Sequence, residues 1–117
     1  VRRSLGALGR LRVGQMNKTE AAYAGYLKLL LYAGQISWYR FEGMKFRLAD
    51  KTFYSPDFAV LLPDGVMEMH EVKGARAIFQ DDAKVKIKVA AEMYPFVFRV
   101  IYPKLKRDGG GWEIVLI

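Results

Sequence analysis

Two apolar runs meet at Pro63-Asp64-Gly65, a turn sequence that commits the middle of this chain to a hairpin. The incoming run, 52–62, is mostly apolar at alternate positions of both parities, the pattern of a strand inside a sheet. The outgoing run starts at Val66, reaches Lys73 and stops at Gly74. Each run carries charge where an interior strand has little room for it: Asp57 in Ser55-Pro56-Asp57, and Glu71 and Lys73 in Glu71-Val72-Lys73. Strand alternation puts Met67, Met69, Glu71 and Lys73 on one face, and turns Val72 and the single His70 to the other. The same count groups Asp57 with Phe53, Ser55, Ala59 and Leu61, and sets Tyr54, Phe58, Val60 and Leu62 opposite.

The remaining elements are read around this hairpin. Asn17-Lys18-Thr19-Glu20 is a helix entry, with Asn17 as N-cap and Glu20 at the capping-box position. The helix runs to Ala33, with Gly34 as its C-terminal stop. It is apolar nearly all round and is expected to be largely buried. Residues 36–49 read as one bent strand or two short ones meeting at Gly43. A second helix is expected from Asp81 or Asp82 to Tyr94, with Ala83, Ile87, Ala90 and Tyr94 as its core stripe. Strands follow at 96–102 and 112–117. The order predicts an α/β fold, a mixed β-sheet flanked by helices, in which the strands at 66–73 and 96–102 are parallel.

With 117 residues the chain is sized for one domain. Its 52% hydrophobic content argues against disorder. Cys 0 excludes disulfides, thiolate metal sites and cysteine nucleophiles, and fits a reducing cytoplasm. With His 1, zinc ligation and histidine-dependent triads lack material. A net charge of +7 favours a polyanionic partner, nucleic acid ahead of a membrane surface. No apolar run approaches the roughly 20 residues that span a bilayer. The chain does not open on methionine, and residues 1–16 are read as a flexible basic arm, not a targeting signal, ahead of a single domain at 17–117.

A carboxylate in the 52–62 strand needs a partner, because an isolated buried charge costs several kcal/mol or more. Asp57 therefore closes a turn or pairs with an arginine, or else serves chemistry. Glu71 shifts the balance: with Asp57 it offers two hard oxygen ligands of the kind Mg²⁺ prefers, and the Val72 carbonyl adds a third. Lys73 is then placed to orient or deprotonate a water, or to stabilise charge on a phosphate. A cross-strand salt bridge is the plain alternative. Glu20 has a structural explanation in the capping box, and a functional one as a third carboxylate near the metal. His70 points away from Glu71 and reads as structural.

Basic residues crowd the arm, where Arg10 and Arg12 lie, and the second helix, where Lys84 and Lys88 share a face one turn apart. With Lys18, and with Arg76 and Gln80 in the preceding loop, they are candidate phosphate contacts. A solvated face is the ordinary explanation of such a run.

The order Glu20, Pro56-Asp57, Glu71-Val72-Lys73 resembles the PD-(D/E)xK nuclease superfamily, from about Asn17 to Pro103. Within it the chain looks like the small phage-associated endonucleases and the Holliday junction resolvase-like branch. The resemblance implies a restriction-endonuclease-like αβββαβ core and hydrolysis of DNA, double-stranded or branched. It implies Mg²⁺, or Mn²⁺ in its place, on Asp57, Glu71 and the Val72 carbonyl. Lys73 would be the water-orienting base and Glu20 the helix acid. All core positions are present, so an active enzyme is expected in the cytoplasm of a bacterial host, without a small-molecule cofactor or a membrane. Symmetric cutting of a junction needs two active sites, so a homodimer is expected, with the helix at 21–33 and the strand at 36–41 as possible interfaces. The competing expectation is a non-catalytic nucleic-acid-binding module on the same fold.

Overall fold

The computed structural model describes residues 14–75 and 81–117. Helix α1 (Lys18–Tyr32) starts at a complete capping box. Asn17 Oδ1 accepts from the Glu20 N–H at 2.8 Å, and Glu20 Oε1 accepts from the Asn17 N–H at 2.9 Å. At the other end Ala33 still has helical angles, and Gly34 takes the left-handed conformation with φ +75°. Seven strands follow: β1 (Trp38–Phe41), β2 (Phe46–Ala49), β3 (Thr52–Tyr54), β4 (Phe58–Leu61), β5 (Met67–Val72), β6 (Val97–Pro103) and β7 (Trp112–Leu116). Helix α2 (Asp81–Met93) lies between β5 and β6.

Five strands form one sheet in the order β1-β4-β5-β6-β7, while β2 and β3 pair only with each other. The β4–β5 hairpin closes at the expected turn. Leu62 N–H donates to Val66 O, Val66 N–H donates to Asp64 Oδ1, and Gly65 supplies φ +90°. β5 and β6 are parallel, as expected of strands joined across a helix, and the β4–β5 and β6–β7 pairs are antiparallel. The α/β class and the mixed sheet are thus as expected.

Two cores lie on opposite faces of the sheet. On one, Ile87 and Ala90 of α2 pack with Met69, Phe98 and Val100, and with Phe46 and Tyr54 of the β2–β3 ribbon. On the other, Tyr23 and Leu27 of α1 pack with Phe58, Val60, Val72 and Ile101. Burying an aliphatic or aromatic side chain of this kind contributes about 1.5–3 kcal/mol.

Two expectations need correction. Helix α1 is not largely buried: only Tyr23 and Leu27 are, while Leu29 is 66% and Tyr32 78% exposed. The helix presents one side to the sheet, and no described element covers its outer side. The run 52–62 is not one strand. It breaks at Ser55-Pro56-Asp57, because Pro56 has no N–H to give a ladder, and the two pieces join different sheets. The break resets the alternation, so Tyr54 shares the α2-side core with Ala59 instead of lying on the opposite face. The region 36–49 resolves into its two-strand alternative, β1 and β2.

Candidate active site at one end of the sheet

Three carboxylates arrive at one end of the sheet from three different elements. Glu20 sits in the first turn of α1, Asp57 just before β4, and Glu71 one residue from the end of β5, with Lys73 just past it. The stretch before β4 is held by backbone on both sides. Glu42 N–H, following β1, donates to Asp57 O at 2.7 Å, and Val72 N–H donates to Asp57 Oδ2 at 2.8 Å. Thus the strand break that excludes Pro56 from the ladder also lets the Asp57 carboxylate cap the end of β5.

Glu71 is gripped from two directions. Tyr54 Oη donates to its Oε1 at 2.8 Å, and Lys73 Nζ lies 3.3 Å from its Oε2. The Lys73 N–H donates to Ile101 O at 2.9 Å, so the backbone bearing the ammonium continues the β5–β6 ladder. Tyr54 is the site residue that counting through Pro56 misses. Pro56 marks a kink by its missing ladder donor, and a full break there also voids the alternation across it.

The electrostatics follow from burying more negative than positive charge. Burial pushes the Asp57 carboxyl up to about 8; Glu71 adds to the rise, the Val72 N–H opposes it, and Glu20 raises it further by charge and hydrogen bond. Burial also raises Glu71, against the lowering effects of Lys73 and of the Tyr54 hydroxyl. The Tyr54 phenol is driven up by burial and then by the Glu71 charge, so it keeps its proton and acts as a donor. Glu20 completes the helix cap and from the same position bears on Asp57.

Among the described residues, no three His, Cys, Asp or Glu side chains form a group that could hold a metal ion. The donor set expected from the sequence is smaller: two carboxylates and a backbone carbonyl. Its chemistry fits Mg²⁺, which takes one or two carboxylates, keeps several waters, and would favour the charged forms that burial opposes at Asp57 and Glu71.

Of the candidate phosphate contacts, Lys18 is exposed on the turn of α1 that carries Glu20. Lys84 and Lys88 are exposed on α2, whose Ile87 and Ala90 are buried. Lys88 lies beside Leu116 and Ile117 at the end of β7, alongside the start of β6. Arg10, Arg12, Arg76 and Gln80 lie outside the described residues. A groove of about 570 Å³ opens past the end of β5, lined by Gly74, Ala75, Tyr102, Lys104 and Glu113.

The opposite face carries a second buried polar cluster, where His70 belongs. Tyr23 Oη lies 2.7 Å from His70 Nδ1, and His70 Nε2–H donates to Glu68 Oε1 at 2.8 Å. Arg99 engages both Glu68 oxygens at 3.0 Å. These bonds overcome the cost of burial and hold the Glu68 carboxyl down at about 2. Every polar group of the cluster thus has a partner within it, which is the structural role expected of His70.

An α/β chain with a mixed five-stranded sheet, a separate two-stranded ribbon and acids gathered at one sheet end is the class these features define. Compared with family models, curated proteins and solved structures, the chain matches none.

Proposed function

We propose that this chain is a metal-dependent DNA endonuclease that hydrolyses phosphodiester bonds and selects branched or junction DNA. The observation that carries the reading is the meeting of Glu20, Asp57 and Glu71 from three elements at one sheet end, with Lys73 paired to Glu71. Asp57, Glu71 and the Val72 carbonyl are the proposed holders of Mg²⁺ or Mn²⁺, which when bound would supply charge neutralisation and Lewis acidity at the scissile phosphate. Lys73, anchored on Glu71, would orient the attacking water or take its proton. Tyr54 would fix the Glu71 carboxylate, and Glu20 would hold the Asp57 carboxyl group in place. The net charge of +7 and the exposed Lys18, Lys84 and Lys88 support a polyanionic substrate.

The motif order and its resemblance to small phage enzymes support a restriction-endonuclease-like core and a role in phage DNA recombination, inside the cytoplasm of a bacterial host. The exposed Leu29 and Tyr32 of α1, which no described element covers, support the homodimer that paired cuts require. The test is incubation with four-way junction, flap, linear duplex and single strand in the presence of Mg²⁺. Preferential cutting of the branched substrates is expected, as is its loss in Asp57→Ala and Lys73→Ala with DNA binding retained. Indifference of the folded protein to all four substrates would overturn the reading.

One observation favours the alternative of a non-catalytic nucleic-acid-binding module. Both Glu71 oxygens already have protein partners, Tyr54 and Lys73. Calorimetry with Mn²⁺ separates the two: the nuclease should release binding heat that Glu71→Gln removes, and the module none.

A further inference from the structure

The β2–β3 ribbon carries a surface that neither the core nor the acid site uses. Its inward side chains, Phe46 and Tyr54, belong to the core over α2. Its outward side is formed by Arg47 and Phe53, register partners across the ribbon, together with Lys45. Phe53 is 41% exposed, although a ring of that size is ordinarily buried, and the Lys45 ammonium stands 4.5 Å from its centroid. Lys45, Arg47 and Lys51 are all exposed, and Asp50 is the only acid between Lys45 and Tyr54. An aromatic ring set among cations on an extended ribbon is complementary to one partner class above others, a polyanion that offers flat apolar faces.

The ribbon is also tied to the acid site. Tyr54, next to Phe53, donates to Glu71, and Asp57 follows three residues later. The other strand is pinned by the residue that follows α2, where the Tyr94 hydroxyl donates to Arg47 O at 2.6 Å. The platform is therefore held at a fixed offset from Glu71. We propose that this ribbon face binds an unpaired DNA strand at a branch, with Phe53 stacking on a base and Lys45 and Arg47 contacting the adjoining phosphates. A paired base is stacked within its duplex and cannot offer that face, so the ribbon selects the unpaired arm. The proposal deepens the nuclease reading by naming the feature of the substrate that is read, and its binding arm does not need cleavage.

The test uses the full chain without metal, with a splayed fork and a blunt duplex of equal length. The fork carries 2-aminopurine at its first unpaired position. The wild type should bind the fork more tightly and quench the probe. Phe53→Ala should weaken fork binding about tenfold and abolish quenching, Phe53→Trp should restore both, and duplex affinity should change little. Arg47→Ala leaves the carbonyl contact with Tyr94 intact. It should flatten the salt dependence of fork binding by about 0.7 in the log–log slope. Unchanged fork binding in folded Phe53→Ala, or equal losses on fork and duplex, would overturn the proposal. Cleavage with Mg²⁺ is followed in parallel. A fork bound through Phe53 but never cut refutes the nuclease and keeps the ribbon, whereas cutting unaffected by Phe53→Ala and Arg47→Ala does the reverse.

Discussion

Asp57 keeps its proton to about pH 8 in the fold, whereas an aspartate in the unfolded chain loses it near 3.9. Between those values the folded state binds more protons than the unfolded state, so stability must fall as pH rises. Metal-free protein should therefore show a thermal midpoint that declines from about pH 5 to about pH 8, and Asp57→Asn should flatten that decline. Mg²⁺ binding to the deprotonated site should return the loss at the upper end, which calorimetric scans with and without chelator would measure. Asp57, Glu71 and Lys73 were legible in the sequence because each interrupts an apolar run, where charge is costly without a purpose. Tyr54 was not, since a tyrosine in a strand looks like core until Pro56 is taken as the end of that strand.

Helix α1 carries two roles on one side chain, and they can be separated. Glutamine serves a capping box as well as glutamate does, so Glu20→Gln should leave the thermal midpoint nearly unchanged while removing the charge beside Asp57. DNA cleavage should then drop with the helix intact. Asn17→Ala, in contrast, should cost about 1 kcal/mol in denaturant unfolding. The helix start was readable from four consecutive residues because capping is local chemistry. The extent of its burial was not, because that depends on what lies against each side of the helix, and periodicity alone does not say whether a neighbour exists. The broken strand illustrates the same limit: composition marks 52–62 as β structure, but only the pairing shows that its two halves serve different sheets.

Among the described residues, the outer side of α1 exposes large apolar side chains. Leu29 and Tyr32 lie in solvent there, and Ile114 and Leu116 are exposed on edge strand β7. If two copies meet through α1, Leu29→Glu combined with Tyr32→Glu should yield monomer in sedimentation. The fold should survive, because neither side chain is part of the core around Tyr23 and Leu27. The ribbon has a different standing. Because β2 and β3 pair only with each other, the turn at Asp50-Lys51 can gain or lose residues without shifting the register of any strand in the main sheet. The chain is in this sense divided into a part that must stay constant for the acids to meet and a part free to vary. Descendants of this sequence can lengthen or shorten that one turn while the strand pairings that bring the acids together stay the same.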